Sequence, residues 1–258
     1  MRIQIVIPAR LASTRLPEKL LLRAGGKSVL QHTYERALGA RCASGVIVAV
    51  DHPRLAEEVN RFGGQAIMTD PQHPSGTDRI AEVARALPEV DIWVNVQGDE
   101  PRIDPSAIDS VATLLSDNPL ASIATAGTPI RDPEHLADPS CVKIVLGQGN
   151  RALYFSRAAV PLVRDGLSAE LLNSEPPHFW HHLGLYAYRR EFLAWFAAEP
   201  PSPLEQLEKL EQLRALWAGH TIVMGRVANA PRGIDTAEDF ASFEAFLASS
   251  SGGAGSSR

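Results

Sequence analysis

Cysteine is scarce in this chain. Cys42 and Cys141 are the only two in 258 residues. Two cannot build a disulfide framework, and no Cys/His metal spacing accompanies them. A reducing, cytoplasmic setting is the default expectation. Long apolar runs are also missing. No stretch approaches the roughly 18 residues of a spanning helix, so no membrane insertion is expected. The opening run Ile3–Ile7 is too short for a secretory signal. Basic runs are absent too, with 25 Lys+Arg against 30 Asp+Glu and a net charge of −5. That balance argues against nucleic acid as the main partner, yet leaves room for a local basic pocket. The commonest phosphate signatures are lacking as well. There is no Gly-Lys-Ser/Thr ending of a Walker A loop and no Gly-x-Gly-x-x-Gly.

What is present is ordinary globular material. Hydrophobic residues make up 45% and charged residues 21%, enough for a core and too apolar for wholesale disorder. Short apolar runs alternate with helical patterns. Strands are expected at Ile3–Ile7, Val46–Val50, Gln65–Met68 and Ile92–Val96. Helices are expected at Lys27–Leu38, Arg54–Phe62, Thr77–Leu87 and Pro105–Leu115. This β-α-β-α order predicts an α/β fold, a mostly parallel central sheet flanked by helices. Later strands are expected at Ser122–Thr125, Val142–Leu146, Leu183–Tyr188 and Thr221–Val227. Leu204 through Trp217 reads as one apolar helical stripe, and Ala237–Leu247 as a closing helix. No linker separates independent domains. The expectation is a single domain over 1–248, with a nucleotide-binding half of about 1–120, a second half of about 121–248, and a flexible Ser/Gly-rich tail over 249–258.

Parallel sheets bind ligands beyond the carboxyl ends of their strands. After Ile7 comes Pro8-Ala9-Arg10-Leu11-Ala12-Ser13-Thr14-Arg15-Leu16-Pro17-Glu18-Lys19. Arg10, Arg15 and Lys19 can converge on a polyphosphate; a solvated basic loop is the plainer alternative. After Val96 comes Gln97-Gly98-Asp99-Glu100-Pro101. A carboxylate pair there suits Mg²⁺, or is simply a solvated turn. Asp235-Thr236 can cap the last helix and leave one carboxylate facing a ligand. Ser75-Gly76-Thr77-Asp78-Arg79 opens a helix whose free N–H groups favour anions, or is a plain turn and cap.

The strings PARLASTRLPEK (8–19), HPSGTDR (73–79), VNVQGDEP (94–101), ALYFSRAAVP (152–161), HHLGLYAYR (181–189), SPLEQLEKLEQLRALW (202–217) and GIDTAED (233–239) run in the order of one enzyme family. From about residue 2 to residue 246 the chain resembles the 3-deoxy-manno-octulosonate cytidylyltransferases, or CMP-Kdo synthetases. The resemblance implies a nucleotide-diphospho-sugar transferase-like fold and transfer of CMP from CTP to the anomeric 2-hydroxyl of 3-deoxy-manno-octulosonate (Kdo). Pyrophosphate is released, and the product serves lipopolysaccharide synthesis. It implies that Arg10, Arg15 and Lys19 bind the triphosphate, with Lys19 stabilising charge at the α-phosphate. Ser75, Gly76 and Arg79 fall on the nucleotide side, with Gln97 near the base or ribose. Asp99 and Asp235 match the carboxylates that hold Mg²⁺. Arg157, His182, Tyr186, Glu205 and Gln212 match positions lining the Kdo pocket. A homodimer is implied as well.

Spacing partly agrees with the sugar-side assignments. Glu205 and Gln212 lie nearly two helical turns apart on the expected helix. His182 and Tyr186 share one face of the expected strand. The plainer readings are a packed Tyr186 and a Glu205 that stabilises its helix N-terminus. The chain departs from the family pattern at Glu18, where Gly is usual, and at Leu20 and Ala237, where Pro is common. The rival readings are the same transfer to 8-amino-Kdo or a sialic acid, a sugar-1-phosphate nucleotidylyltransferase, and a catalytically silent nucleotide-binding protein.

Overall fold

The structure is a computed structural model that describes residues 1–228 and 232–252. Its elements run β1 (Ile3–Ala9), β2 (Arg23–Ala24), β3 (Lys27–Ser28), α1 (Val29–Ala37), β4 (Val46–Val50), α2 (Pro53–Arg61), β5 (Gln65–Met68), α3 (Gly76–Ala86), β6 (Ile92–Asn95) and α4 (Pro105–Asp117). There follow β7 (Ile123–Pro129), α5 (Pro133–Ala137), β8 (Lys143–Leu146), β9 (Ala152–Ser156), α6 (Ala169–Leu172), β10 (Trp180–Arg189), α7 (Arg190–Ala198), α8 (Pro203–Glu208), α9 (Gln212–Trp217), β11 (Ile222–Arg226) and α10 (Ala237–Gly252). They form two compact units. Unit 1 takes in Met1–Ile108 and the described residues beyond 231; unit 2 takes in 109–228. The expected mixed α/β architecture is what the chain adopts.

In unit 1, β1 lies between β4 and β6, and β5 pairs with β4, all in parallel. Ile5, Val6 and Ile7 are buried to 1% exposure or less. At about 1.5–3 kcal/mol for each fully buried aliphatic side chain, this strand anchors the loops that leave it. Parallel strands point the same way, so the loops after β1, β4 and β6 emerge at one edge of the sheet. Gly98 lets two of them approach closely. A side chain there would meet the Pro8 carbonyl at 3.3 Å and Leu20 at 3.4 Å. Leu20, the departure from proline, is thus part of the packing beneath the Gly98 turn.

Unit 2 is built differently. β7 pairs with β11 in parallel, but β7–β10, β10–β8 and β8–β9 are antiparallel. The wholly parallel pairing read from the first half therefore holds in unit 1, while unit 2 keeps it only between β7 and β11.

Four local expectations are corrected. The helix expected from Lys27 begins at Val29, because Ser28 caps it by accepting from the Gln31 N–H at 3.1 Å. The single stripe over Leu204–Trp217 is two short helices, since Lys209 turns left-handed at φ 55° and ends α8. β10 runs beyond both expected ends and carries an irregularity between Leu183 and Tyr186. The closing helix continues into the expected tail: Ser249 and Ser250 donate their hydroxyls to the Phe246 carbonyl at 2.8 and 2.9 Å. The remainder of that tail, 253–258, lies outside the described residues.

Candidate active site

The cation-rich loop after β1 leads to Lys19, the first residue of a short 3-10 turn. Its ammonium lies between two carboxylates. It donates to Asp99, which follows β6, and to Asp235 Oδ1 at 2.7 Å. Arg15 reaches Asp235 Oδ2 at 3.0 Å from a more exposed position. Burial alone would lower the Lys19 pKa, but the facing carboxylates outweigh it and hold it above the ordinary lysine value. Lys19 stays charged wherever the enzyme would work.

Asp99 and Asp235 are far apart in sequence and are joined by backbone contact. The Ile234 N–H donates to the Asp99 carbonyl at 2.8 Å. Thr236 and Asp239 complete the cap of α10: the Asp239 N–H bonds Thr236 Oγ1 at 3.2 Å, and the Asp239 carboxylate accepts from the Thr236 N–H at 3.0 Å. Capping therefore falls to Thr236, which leaves the Asp235 carboxylate to Lys19 and Arg15. Glu100, beside Asp99, is pushed up to about 8 by burial and by that neighbouring charge.

The other nucleotide-side candidates are placed less alike. Arg10 donates to the His73 carbonyl at 2.9 Å. Ser75 is the N-cap of α3, accepting from the Asp78 N–H at 3.1 Å and donating to its carboxylate at 2.6 Å. Gly76 lies close under Pro8, where an added Cβ would sit 3.4 Å from that ring. Arg79 is fully buried, donates to Thr69 Oγ1 and stands 3.7 Å from Asp51. Its Nε and Nη2 have no hydrogen-bond partner among the described residues. Arg79 is therefore internal, held from Thr69 and Asp51, with two donors free of hydrogen bonds among the described residues. Gln97 donates to Asn95 at 3.3 Å.

Sequence reasoning singled out no residue after β4, although that strand end was a place to search. Asp51 sits there. It accepts from the Leu11 N–H at 3.0 Å and so pins the cation-rich loop. Glu18 has a physical account too. Its φ of 52° is the left-handed conformation that favours glycine. Here the glutamate forms a two-point ion pair with Arg54, which holds its carboxyl below the usual range.

In unit 2, His182 and Tyr186 meet as expected, with ring centroids 5.3 Å apart, and Phe155 lies 4.9 Å from His182. The Thr125 hydroxyl donates to the Leu185 carbonyl at 2.9 Å, so its oxygen receives His182 Nε2 at 3.0 Å. Burial, with His181 adding to it, holds His182 down to about 3. Tyr186 is also buried, and its phenol is raised well above 10. Both side chains are neutral polar groups and offer no charge to an acid.

The depressed His182 pKa makes a stability prediction. Its ordinary value is 6.5, so below pH 6.5 the unfolded chain binds a proton that the folded one refuses. Stability present above 6.5 is lost toward pH 3, at about 1.4 kcal/mol per pH unit from this residue. Urea unfolding at pH 7, 6 and 5 should show His182→Gln losing stability less steeply than the parent. Equal slopes would contradict the assignment.

Three sugar-side candidates differ from the picture drawn from spacing. Glu205 is held by Arg214, whose Nε and Nη2 donate to its two oxygens at 2.8 and 2.6 Å. It also accepts from the Ser202 N–H at 3.1 Å, closing the capping box of α8. Arg157 donates to the Glu208 carbonyl at 2.8 Å and the Pro139 carbonyl at 3.1 Å. Gln212 opens α9, is buried, and has an Nε2 without a hydrogen-bond partner among the described residues. The break at Lys209 removes the continuous helix that was to align Glu205 with Gln212. Glu208 was not foreseen; it accepts from Ser156 Oγ at 2.7 Å and the Arg157 N–H at 2.9 Å.

Known proteins show the same pattern over most of the chain. The family profile described as cytidylyltransferase matches residues 4–222. A 3-deoxy-manno-octulosonate cytidylyltransferase of Rhodopirellula baltica is 63% identical over 249 residues, 96% of this chain and 100% of the relative. One of Idiomarina loihiensis is 47% identical over 243 residues, 93% of this chain and 96% of the relative. A solved structure of CMP:2-keto-3-deoxy-manno-octonic acid synthetase complexed with CTP superposes with a TM-score of 0.89. It is 42% identical and covers 97% of this chain and 100% of its own.

Proposed function

We propose, given that this chain belongs to the cytidylyltransferase family and within it to the 3-deoxy-manno-octulosonate cytidylyltransferases, that it joins CTP to Kdo, giving CMP-Kdo and pyrophosphate. The observation that carries this reading is the pair of carboxylates, Asp99 and Asp235, that share the Lys19 ammonium at the strand ends of unit 1. An exposed basic loop would not gather two acids from distant segments onto one cation.

The donor set fits Mg²⁺, which takes one or two carboxylates and fills its shell with water and substrate phosphate. Asp99 and Asp235 would hold the ion, and a second can arrive with the triphosphate. Bound there, it neutralises charge on the triphosphate. Arg15 and Lys19 bind the triphosphate, and Arg10 lies on the same loop. Lys19 stabilises the charge that builds on the α-phosphate as the Kdo 2-hydroxyl oxygen attacks. The new bond is oxygen to α-phosphorus, and the hydroxyl proton is released to water. The bond broken joins that phosphorus to the oxygen bridging to the β-phosphate, and pyrophosphate leaves with the electron pair. Chemistry of this kind rests on positioning and charge stabilisation. Asp51 and Glu18 position the loop, and Ser75, Gly76, Arg79 and Gln97 belong to the nucleotide side.

On the sugar side, His182, Tyr186 and the unfilled Gln212 amide suit the neutral hydroxyls of a sugar. Arg157 and Glu205 belong to the same sugar side by the family resemblance, each held by partners within unit 2. The same reading includes a homodimer, which the family resemblance implies. It includes the cytoplasm as the place of work. Among the described residues no helix is long and apolar enough to cross a membrane. The division of labour between a nucleotide half and a sugar half is part of this proposal.

The test is pyrophosphate release with CTP and Mg²⁺, compared among Kdo, 8-amino-Kdo, a sialic acid and no sugar. Release with Kdo well above the others is expected. A preference for another sugar acid would move the substrate assignment, and no release with any would refute the activity.

A further inference from the structure

We propose that His135, Cys141 and His181 form a binding site for a borderline-soft divalent cation of the Zn²⁺ class. One donor atom from each residue lies within 4.8 Å of the other two. The spacing is invisible in sequence and is made by the fold of unit 2. His135 stands on α5. The turn that follows is closed by Asp138, which accepts from the Ser140 N–H and Oγ at 2.8 and 2.7 Å. The Cys141 N–H then donates back to the Asp138 carbonyl at 3.2 Å, which returns the chain toward the helix. On β10, the His182 N–H donates to the Val142 carbonyl at 2.8 Å, and His181 is in register with Lys143. The two imidazoles meet edge to face, with centroids 4.9 Å apart at 71°.

A second observation points to a missing partner. His181 Nδ1 is buried and has no hydrogen-bond partner among the described residues. A buried polar atom left unpaired costs free energy, and a metal ion at this point would use its lone pair. The donor chemistry narrows the choice. Two imidazoles and a thiol suit Zn²⁺ and its neighbours and do not suit Mg²⁺ or Ca²⁺. Three protein donors leave a fourth position for water or a small ligand. Cys141 is 4% exposed and packs with Ile130, Leu136, Leu172 and Phe179. Such an apolar surround limits solvent access on the Cys141 side.

One neighbour opposes the ion. Lys143 is fully buried, and its ammonium donates to the carbonyls of Asp138, Cys141 and Arg157 at 2.9, 2.6 and 2.6 Å. Burial pushes the Cys141 thiol up to about 11, a rise that the Lys143 charge only partly offsets, and the same charge repels a dication. The site is therefore weaker than a structural zinc centre with four protein ligands. Its effect is to tie α5 to β10 without entering the transfer reaction.

The test uses the full chain, stripped with chelator and titrated with Co²⁺ and then Zn²⁺. A thiolate-to-cobalt charge-transfer band should appear, be displaced by Zn²⁺, and resist excess Mg²⁺. Cys141→Ser should abolish the band while Cys42→Ser keeps it. His181→Gln should weaken Zn²⁺ binding more than about 100-fold, beyond the loss of an outer partner. Circular dichroism checks that each variant is folded. The proposal is overturned by absence of the band in the parent, by its survival in Cys141→Ser, or by its loss to excess Mg²⁺, an ion that two imidazoles and a thiolate do not suit.

Discussion

Asp99→Ala is expected to cut CMP transfer by at least about 10³-fold, the scale of losing a main electrostatic support of a transition state, while the protein stays folded. The structure separates the two effects. The Asp99 carboxylate is one-quarter exposed, and its partner Lys19 keeps a second acid, Asp235. Removing Asp99 therefore leaves no unpaired buried charge. The turn itself is held through the backbone, by the bond from Ile234 N–H to the Asp99 carbonyl at 2.8 Å and by Thr33 Oγ1 donating to the Gly98 carbonyl at 3.0 Å. Neither needs the Asp99 side chain. Pyrophosphate release should stay low across a Mg²⁺ titration, because excess ion cannot replace a lost ligand. Near-normal turnover at saturating Mg²⁺, from a variant with parental stability, would sink the assignment of Asp99 to the metal.

Glu205→Ala is expected to act in the opposite sense, on the fold before the chemistry. Its carboxylate faces a guanidinium that is 6% exposed. Arg214 also donates to the carbonyls of Phe196 and Glu199 at 3.2 and 2.9 Å and lies 3.9 Å over the Phe196 ring. Deleting Glu205 removes the carboxylate that faces that buried charge and opens the capping box of α8. Breaking one side of a buried pair costs about 3–5 kcal/mol. Urea unfolding should show the loss directly, and Glu205→Gln, which retains an acceptor for Ser202, should recover part of it. A Glu205→Ala protein of parental stability with a selectively raised KM for Kdo would show that the residue meets the sugar instead.

The first half of the chain was legible because its signals are local. Buried parallel strands such as Val46–Val50 are short apolar runs, and the strand order alone says where loops with chemistry emerge. The second half was less so, for identifiable reasons. A left-handed Lys209 breaks an apolar stripe that periodicity continues through. The irregularity between Leu183 and Tyr186 disturbs simple alternation along β10. The site divides in the same way. Arg15, Lys19 and Asp99 were visible from their places after strands, whereas Asp235 needed the family resemblance, since nothing local links it to Asp99. Arg79 and Glu205 show the limit of residue type as a signal. Each is a charged side chain near the expected pocket, and burial and its partners, which sequence does not display, decide what it holds. The same is true of His135, Cys141 and His181, whose common neighbourhood exists only after folding.

The central claim is that the nucleotide is transferred to the sugar and not hydrolysed. Phosphorus NMR of the protein with CTP, Mg²⁺ and Kdo tests it most directly. The three CTP resonances should give way to one phosphodiester signal, coupled through carbon to the Kdo anomeric centre, and to pyrophosphate in equal amount. Free CMP or inorganic phosphate as the product, with no phosphodiester, would contradict the account.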